Sequence, residues 1–191
     1  MSQPLATPEA PVSRRGRLQL LGLLAIVIGP ILLATAMYEW RFWVPQERNY
    51  HGELLGDGRT VTDLGVEGPV AAKWLLLVTA PQACDSDCRQ LVYLARQIQI
   101  GLNRDVARAS HALASAQPLD EEYDALLKRE YPQLGRPSLD VARYRTMTGD
   151  EGLRLWIVDP LGNLVLRYDS DANGREVLND LRLLLKLSQI G

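Results

Sequence analysis

The chain has 191 residues, 21 of them Lys or Arg, 23 Asp or Glu and 2 His, for a net charge of -2. So even a balance argues against nucleic acid as a partner, because there is no basic footprint for phosphates to meet. The composition is that of an ordinary folded chain, and the roughly 140 residues after the first fifty suffice for one core without disulfide staples.

Residues 1–17 open with MSQPLATPEAPVS, rich in Pro, Ala and Ser, and read as a disordered cytoplasmic tail. From Leu18 to Tyr38 the sequence runs LQLLGLLAIVIGPILLATAMY, with Gln19 its one strongly polar side chain and no charge. About 20 apolar residues cross the hydrocarbon of a bilayer, so 18–38 is expected to be a transmembrane helix. A cleaved signal peptide carries a shorter apolar stretch, about 7 to 15 residues, before a small-residue site. Ala34-Thr35-Ala36 is the one such site here, and the segment reads as an uncleaved anchor. Pro30 is compatible with a membrane span. Arg14, Arg15 and Arg17 precede the run, and Tyr38, Trp40, Phe42 and Trp43 follow it. Basic flanks stay in the cytoplasm and aromatic residues collect at the interface. The N-terminus is therefore expected inside and the rest of the chain outside, on the periplasmic face of a cytoplasmic membrane. Ser13-Arg14-Arg15 holds a twin arginine and is read as the basic flank of the anchor.

Residues 39–58 are expected to be a membrane-proximal linker and 59–191 the outer domain. Lys73 to Thr79 (KWLLLVT) is a short apolar run suited to a strand buried on both faces. Cys84-Asp85-Ser86-Asp87-Cys88 follows, and then Leu91, Val92, Leu94, Ala95, Ile98 and Leu102 recur at helical spacing, with Asp85 or Ser86 as N-cap. Asp105 to Leu113 is expected to form a second strand. Asp120 caps another helix, with Tyr123, Leu126 and Leu127 on its apolar face and Pro132 ending it. Residues 133–149 lack a clear period and read mostly as loop. Arg154 to Val158 and Asn163 to Tyr168 make a hairpin across Asp159-Pro160-Leu161-Gly162. Gly174 to Gln189 closes the chain as an amphipathic helix. Strands interleaved with helices predict an α/β sandwich.

The chemistry is concentrated in Cys84 and Cys88, the only two cysteines. They lie where a strand gives way to a helix, and a helix N-terminus favours a thiolate. Asp85 and Asp87 oppose that by charge repulsion, while attracting a cation. In an oxidising compartment a nearby pair persists as a disulfide. Three readings stay open: a structural disulfide, a thiol–disulfide exchange pair, and a soft-metal site for Cu(I).

The order KWLLLV, C-x3-C opening a helix, IVDPLGNLVLRY hairpin, C-terminal helix resembles the Sco family. On the residues Lys73, Trp74, Leu75 to Val78, Cys84, Cys88, Asp159, Pro160 and Gly162, that resemblance implies a thioredoxin-like α/β domain tethered by one N-terminal transmembrane helix. It also implies assistance to cytochrome c oxidase assembly and a copper-assembly factor or respiratory oxidase subunit as partner. Cys84 and Cys88 would then be both the catalytic thiols and the copper ligands. Cys84, nearer the loop, would attack, and Cys88, one turn into the helix, would resolve the mixed disulfide. The exchange would, for instance, keep a partner's copper-ligand cysteines reduced. The family's copper-binding histidine before the last hairpin has no counterpart in Met147 to Arg154, and Arg89 follows the second cysteine where the family has proline. A Cu(I) site here would rest on two thiolates, with Met147 as the soft ligand in reach.

A non-catalytic membrane assembly scaffold with a structural disulfide is the alternative from another class. His51 and His111 read as ordinary surface or half-buried histidines, and Trp74 and Trp156 as packing residues. Asp169, Asp171 and Asn173 read as loop and helix cap, because the rest of a calcium loop is missing.

Overall fold

The structure, a computed structural model, describes residues 14–40, 50–69 and 72–188. The chain forms two units, one up to Glu47 and one from Arg48 onward. In the first, helix α1 spans Arg14–Trp40 with Pro30 inside it. Its stretch Gly16–Ala36 has a mean hydropathy of 2.3 over a length that can cross a membrane. Leu18, Ile26 and Ile31 are exposed. A helix that is apolar all round is stable only in a core or in lipid.

In the second unit seven strands among the described residues form one sheet, in the order β1-β7-β6-β3-β4-β5-β2. They are β1 (Glu53–Leu54), β2 (Val66–Glu67), β3 (Trp74–Ala80), β4 (Ala109–Ser115), β5 (Ser138–Leu139), β6 (Arg154–Val158) and β7 (Leu164–Asp169). Helix α2 (Ser86–Gly101) connects the central parallel pair β3/β4, and the β6/β7 hairpin continues the sheet antiparallel from β3. Helix α3 spans Glu121–Glu130, α4 Val141–Thr148 and α5 Gly174–Leu187.

Side chains alternate across a strand, and the alternation builds two cores. On one face Trp74, Leu76, Val78 and Ala80 of β3 meet Leu91, Val92, Ala95 and Ile98 of α2 and Val177, Leu181, Leu184 and Leu185 of α5. On the other, Leu75 and Leu77 pack with Trp156, Leu164 and Tyr144 of α4. In β7 the alternation is broken by a bulge. Ile157 pairs with Leu166 but its neighbour Val158 pairs with Leu164, so Val165 is the extra residue. Leu164 and Leu166, two apart, consequently enter opposite cores.

The four expected helices, the cysteine loop, β3 and the hairpin lie where the sequence puts them. Three segments differ. Residues 50–58, expected as linker, carry β1 on the sheet edge against β7. The second strand starts at Ala109, because Asn103–Arg108 forms a 3-10 turn entered through Asn103 at φ 53°. The loop expected over 133–149 contains β5 and α4, the latter capped by Asp140, whose Oδ1 accepts from Ala142 N at 2.9 Å and Arg143 N at 3.3 Å. Gly149, at φ 82°, ends it in the left-handed region that glycine enters freely.

Candidate functional site

β3 is buried at every position, and its last residue, Ala80, leads through Pro81 into the cysteine loop at the sheet's C-terminal edge. Cys84 and Cys88 form a disulfide, with Cα atoms 5.1 Å apart. Their burial is unequal. Cys88 is 1 % exposed within the α2 core, whereas Cys84 is half-buried at its margin. Any exchange partner must therefore meet Cys84 first.

Asp85 is the N-cap of α2. Its Oδ1 accepts from the backbone N–H groups of Asp87 and Cys88, each at 3.1 Å. Its carbonyl accepts the first helical bond, from Arg89 N at 3.0 Å. Two of the helix's first N–H groups are thus satisfied from within the motif itself. The disulfide borders an open cleft of about 120 Å³ lined by Pro81, Gln82, Asp85, Asp87, Glu151 and Ser170 among others.

Glu151 belongs to the loop between α4 and β6, and that loop is held by a hydrogen-bond chain running under the cleft. Trp156 Nε1 donates to Thr79 Oγ1 at 2.9 Å. Thr79 donates to the Tyr144 hydroxyl at 3.2 Å, and Tyr144 donates to the Gly152 carbonyl at 2.6 Å. Successive bonds of this kind polarise one another in a dry interior. Arg154, itself buried, forks onto both carboxylate oxygens of Asp150 at 2.7 Å. That guanidinium and the Gly152 N–H hold the Asp150 carboxyl down at about 2. Glu151 pairs with Arg145.

The remaining expected ligands are not brought to the cysteines. Met147 packs on the opposite core, against the group that contains Tyr144 and Trp156. His111, expected as a surface or half-buried residue, is buried on β4. Gln99 Nε2 donates to the Ala109 carbonyl at 2.7 Å, which turns its Oε1 to accept from His111 Nδ1 at 2.5 Å. Burial pushes the His111 imidazole down to about 4, so it is neutral near pH 7. His51 lies at the domain's start, its Nδ1 2.8 Å from Asp180 Oδ1. Among the described residues no group of three or more His, Cys, Asp or Glu could hold a metal ion. The donor set does not fit a three-ligand copper centre: both sulfurs are tied to each other, and among the described residues no group supplies a third ligand.

Sequence reasoning missed Thr79, Tyr144, Arg154 and Glu151 as the frame of the cleft. The caps Asp140 and Gly149 were the available signal, since they bracket the helix that carries Tyr144.

No curated protein matches the chain. Its fold is similar to that of yeast Sco1 with copper bound, at 11 % identity over 62 % of this chain and 81 % of that one, with a TM-score of 0.48. It is likewise similar to Bradyrhizobium japonicum ScoI with copper bound (18 % identity, 63 % and 88 % covered, TM-score 0.42). A third such structure is the thioredoxin domain of a thiol-disulfide oxidoreductase from Bacteroides vulgatus (17 % identity, 70 % and 90 % covered, TM-score 0.44). A model of a transmembrane-like N-terminal domain matches residues 11–41. A model of the transmembrane-like, thioredoxin-like C-terminal domain matches residues 74–188, more than half of the chain, and the protein belongs to that family, a thioredoxin-like domain on a single apolar anchor helix.

Proposed function

We propose that the protein is a thiol–disulfide exchange factor at the periplasmic face of the cytoplasmic membrane, acting through Cys84 and Cys88 in the assembly of cytochrome c oxidase. One observation carries the exchange: a disulfide at the mouth of a helix, with Cys84 half-exposed and Cys88 buried where it borders the cleft. That asymmetry suits a two-step reaction. Cys84 forms the mixed disulfide with a partner, and Cys88, protected from solvent, resolves it. Residues 1–17 would remain in the cytoplasm, 18–38 would span the inner membrane, and the domain from 59 onward would work in the periplasm. The oxidase, and a respiratory oxidase subunit or copper-assembly factor as direct partner, come from the Sco resemblance of the motif and hairpin.

The sealed position of Cys88 equally favours a second reading, a structural disulfide in an assembly scaffold. Single substitutions Cys84→Ser and Cys88→Ser in the full-length protein separate the two. Exchange predicts loss of oxidase maturation with each, the folded domain persisting. Unchanged oxidase levels in both variants would leave the scaffold reading. An anaerobic Cu(I) titration of the reduced protein against a competing chelator tests copper handling. Stoichiometric binding that both variants lose would make Cu(I) a cargo of the two thiolates, and no binding would remove it.

A further inference from the structure

A thiol–disulfide couple runs in the direction set by how well its reduced form is stabilised. Strong oxidants owe their potential to a thiolate stabilised by helix N-terminal N–H groups or neighbouring cations. At Cys84 both kinds of support are weakened. Asp85 occupies the N–H groups of Asp87 and Cys88, two of the first-turn donors that a sulfur at this helix mouth would otherwise draw on. The same carboxylate stands one residue from Cys84, and Asp87 and Glu151 line the cleft with it. No Lys, Arg or His is among the lining residues. Arg89, the nearest arginine in sequence, lies over the Tyr123 ring, 4.6 Å from its centroid, and Arg145 is held by Glu151. The charges nearest Cys84 in sequence, Asp85 and Asp87, are both negative, so a negative sulfur there is disfavoured, the disulfide is the favoured form and the dithiol gives up its electrons readily.

Resting on the exchange role proposed above, we infer that Asp85 is a positioning residue that holds the Cys84–Cys88 couple at the reducing end, so that the dithiol protein reduces disulfides of its partner. In the forward step the Cys84 thiol loses its proton and its sulfur attacks one sulfur of the partner disulfide. The partner S–S bond breaks, and the first partner thiolate takes up a proton. The Cys88 thiol then deprotonates and attacks Cys84. This forms the intramolecular disulfide and releases the second partner thiol. Two electrons pass from the pair to the partner, and a protein dithiol of still lower potential must restore the reduced pair.

The test uses the full-length protein in detergent micelles, equilibrated in dithiothreitol redox buffers. The dithiol fraction is read by the mass shift on alkylation, and the Cys84 thiolate by its ultraviolet absorbance against pH. Asp85→Asn keeps a capping oxygen but removes the charge. It should move the equilibrium constant toward the dithiol about tenfold, equivalent to about 30 mV for this two-electron couple. It should also lower the pH at which Cys84 ionises. Asp85→Ala, which additionally frees the two N–H groups, should move both further, and Glu130→Gln on α3 should move neither. An Asp85→Asn constant within twofold of wild type overturns the inference while leaving exchange intact. So does a wild-type pair already half-reduced in an ordinary glutathione buffer. A wild-type disulfide that dithiothreitol does not reduce overturns the exchange role itself, and the inference with it.

Discussion

The two histidines act on stability in opposite directions. Hydrogen bonding to Asp180 raises His51 above its ordinary 6.5, so its contribution is fully present below that value and is lost as pH rises through the raised folded one. His111 is lowered by burial to about 4, so its contribution is fully present above 6.5 and is lost as pH falls toward 4. Stability should therefore peak near pH 6.5, and urea unfolding at pH 4, 6.5 and 8.5 reads both limbs. A shift of that size at a buried site corresponds to about 3 kcal/mol on the acid limb, which His111→Gln should flatten, while His51→Gln should flatten only the alkaline limb. Asp180 is the more consequential partner. Buried to 1 % exposure, it accepts from His51 N, Gly52 N and the Tyr168 hydroxyl at 2.8, 3.0 and 2.7 Å. Asp180→Ala strands those donors and should cost about 3 kcal/mol or more, measurable as a fall in the urea midpoint. None of this was visible in the sequence, because a single Asp among the leucines of an amphipathic helix looks like solvent-facing polarity until its partner, 129 residues away, is known.

At the scale of elements, what could be read depended on how many apolar side chains an element buries. β3 buries all seven of its residues, and α2 and α5 each carry a full apolar stripe, so periodicity reveals them. Helix α4 buries only Tyr144. It has no stripe to detect; Asp140 and Gly149 cap it, and its buried tyrosine ties it to the Gly152 carbonyl. Gly149→Ala should accordingly destabilise the domain by about 1 kcal/mol, from the left-handed backbone alone. Tyr144→Phe breaks the bond to Gly152 and should cost about 1 to 3 kcal/mol. It should also speed hydrogen exchange at residues 150–153 beside Cys88 while leaving β3 protected. The two-residue strands β1, β2 and β5 are too short for any alternation to register. Their pairing comes from the sheet edges that accept them.

Taken as a whole, the globular unit draws its stability from two apolar cores on either side of one sheet, and the disulfide closes only a five-residue ring within it. A loop that small constrains the unfolded chain by about 2 kcal/mol. Reducing the bond, or replacing either cysteine by Ser, should lower Tm by about 4–8 °C without unfolding the domain, as calorimetry with and without reductant would record. A larger collapse would mean the bond serves the fold rather than exchange. The thioredoxin-like layout was legible from the cysteine loop, the apolar strand before it and the hairpin after it. The framing of the cleft was not, since Thr79, Tyr144, Gly152 and Trp156 converge from four separate segments.

The edge pair β1–β7 also bears on the order in which the unit can assemble. Arg167 and Glu53 form an ion pair across that edge, and 114 residues separate them. The ribosome makes Glu53 before any other strand residue of the domain, yet its docking place does not exist until β7 has been made and the hairpin has closed. First synthesised, β1 is bound to be among the last to dock. Until it does, the outer edge of β7 offers unpaired backbone groups to any neighbouring chain. Aggregation during folding should therefore rise in Gly52→Ala, whose added Cβ would lie 2.5 Å from the Tyr168 ring and keep that edge open longer.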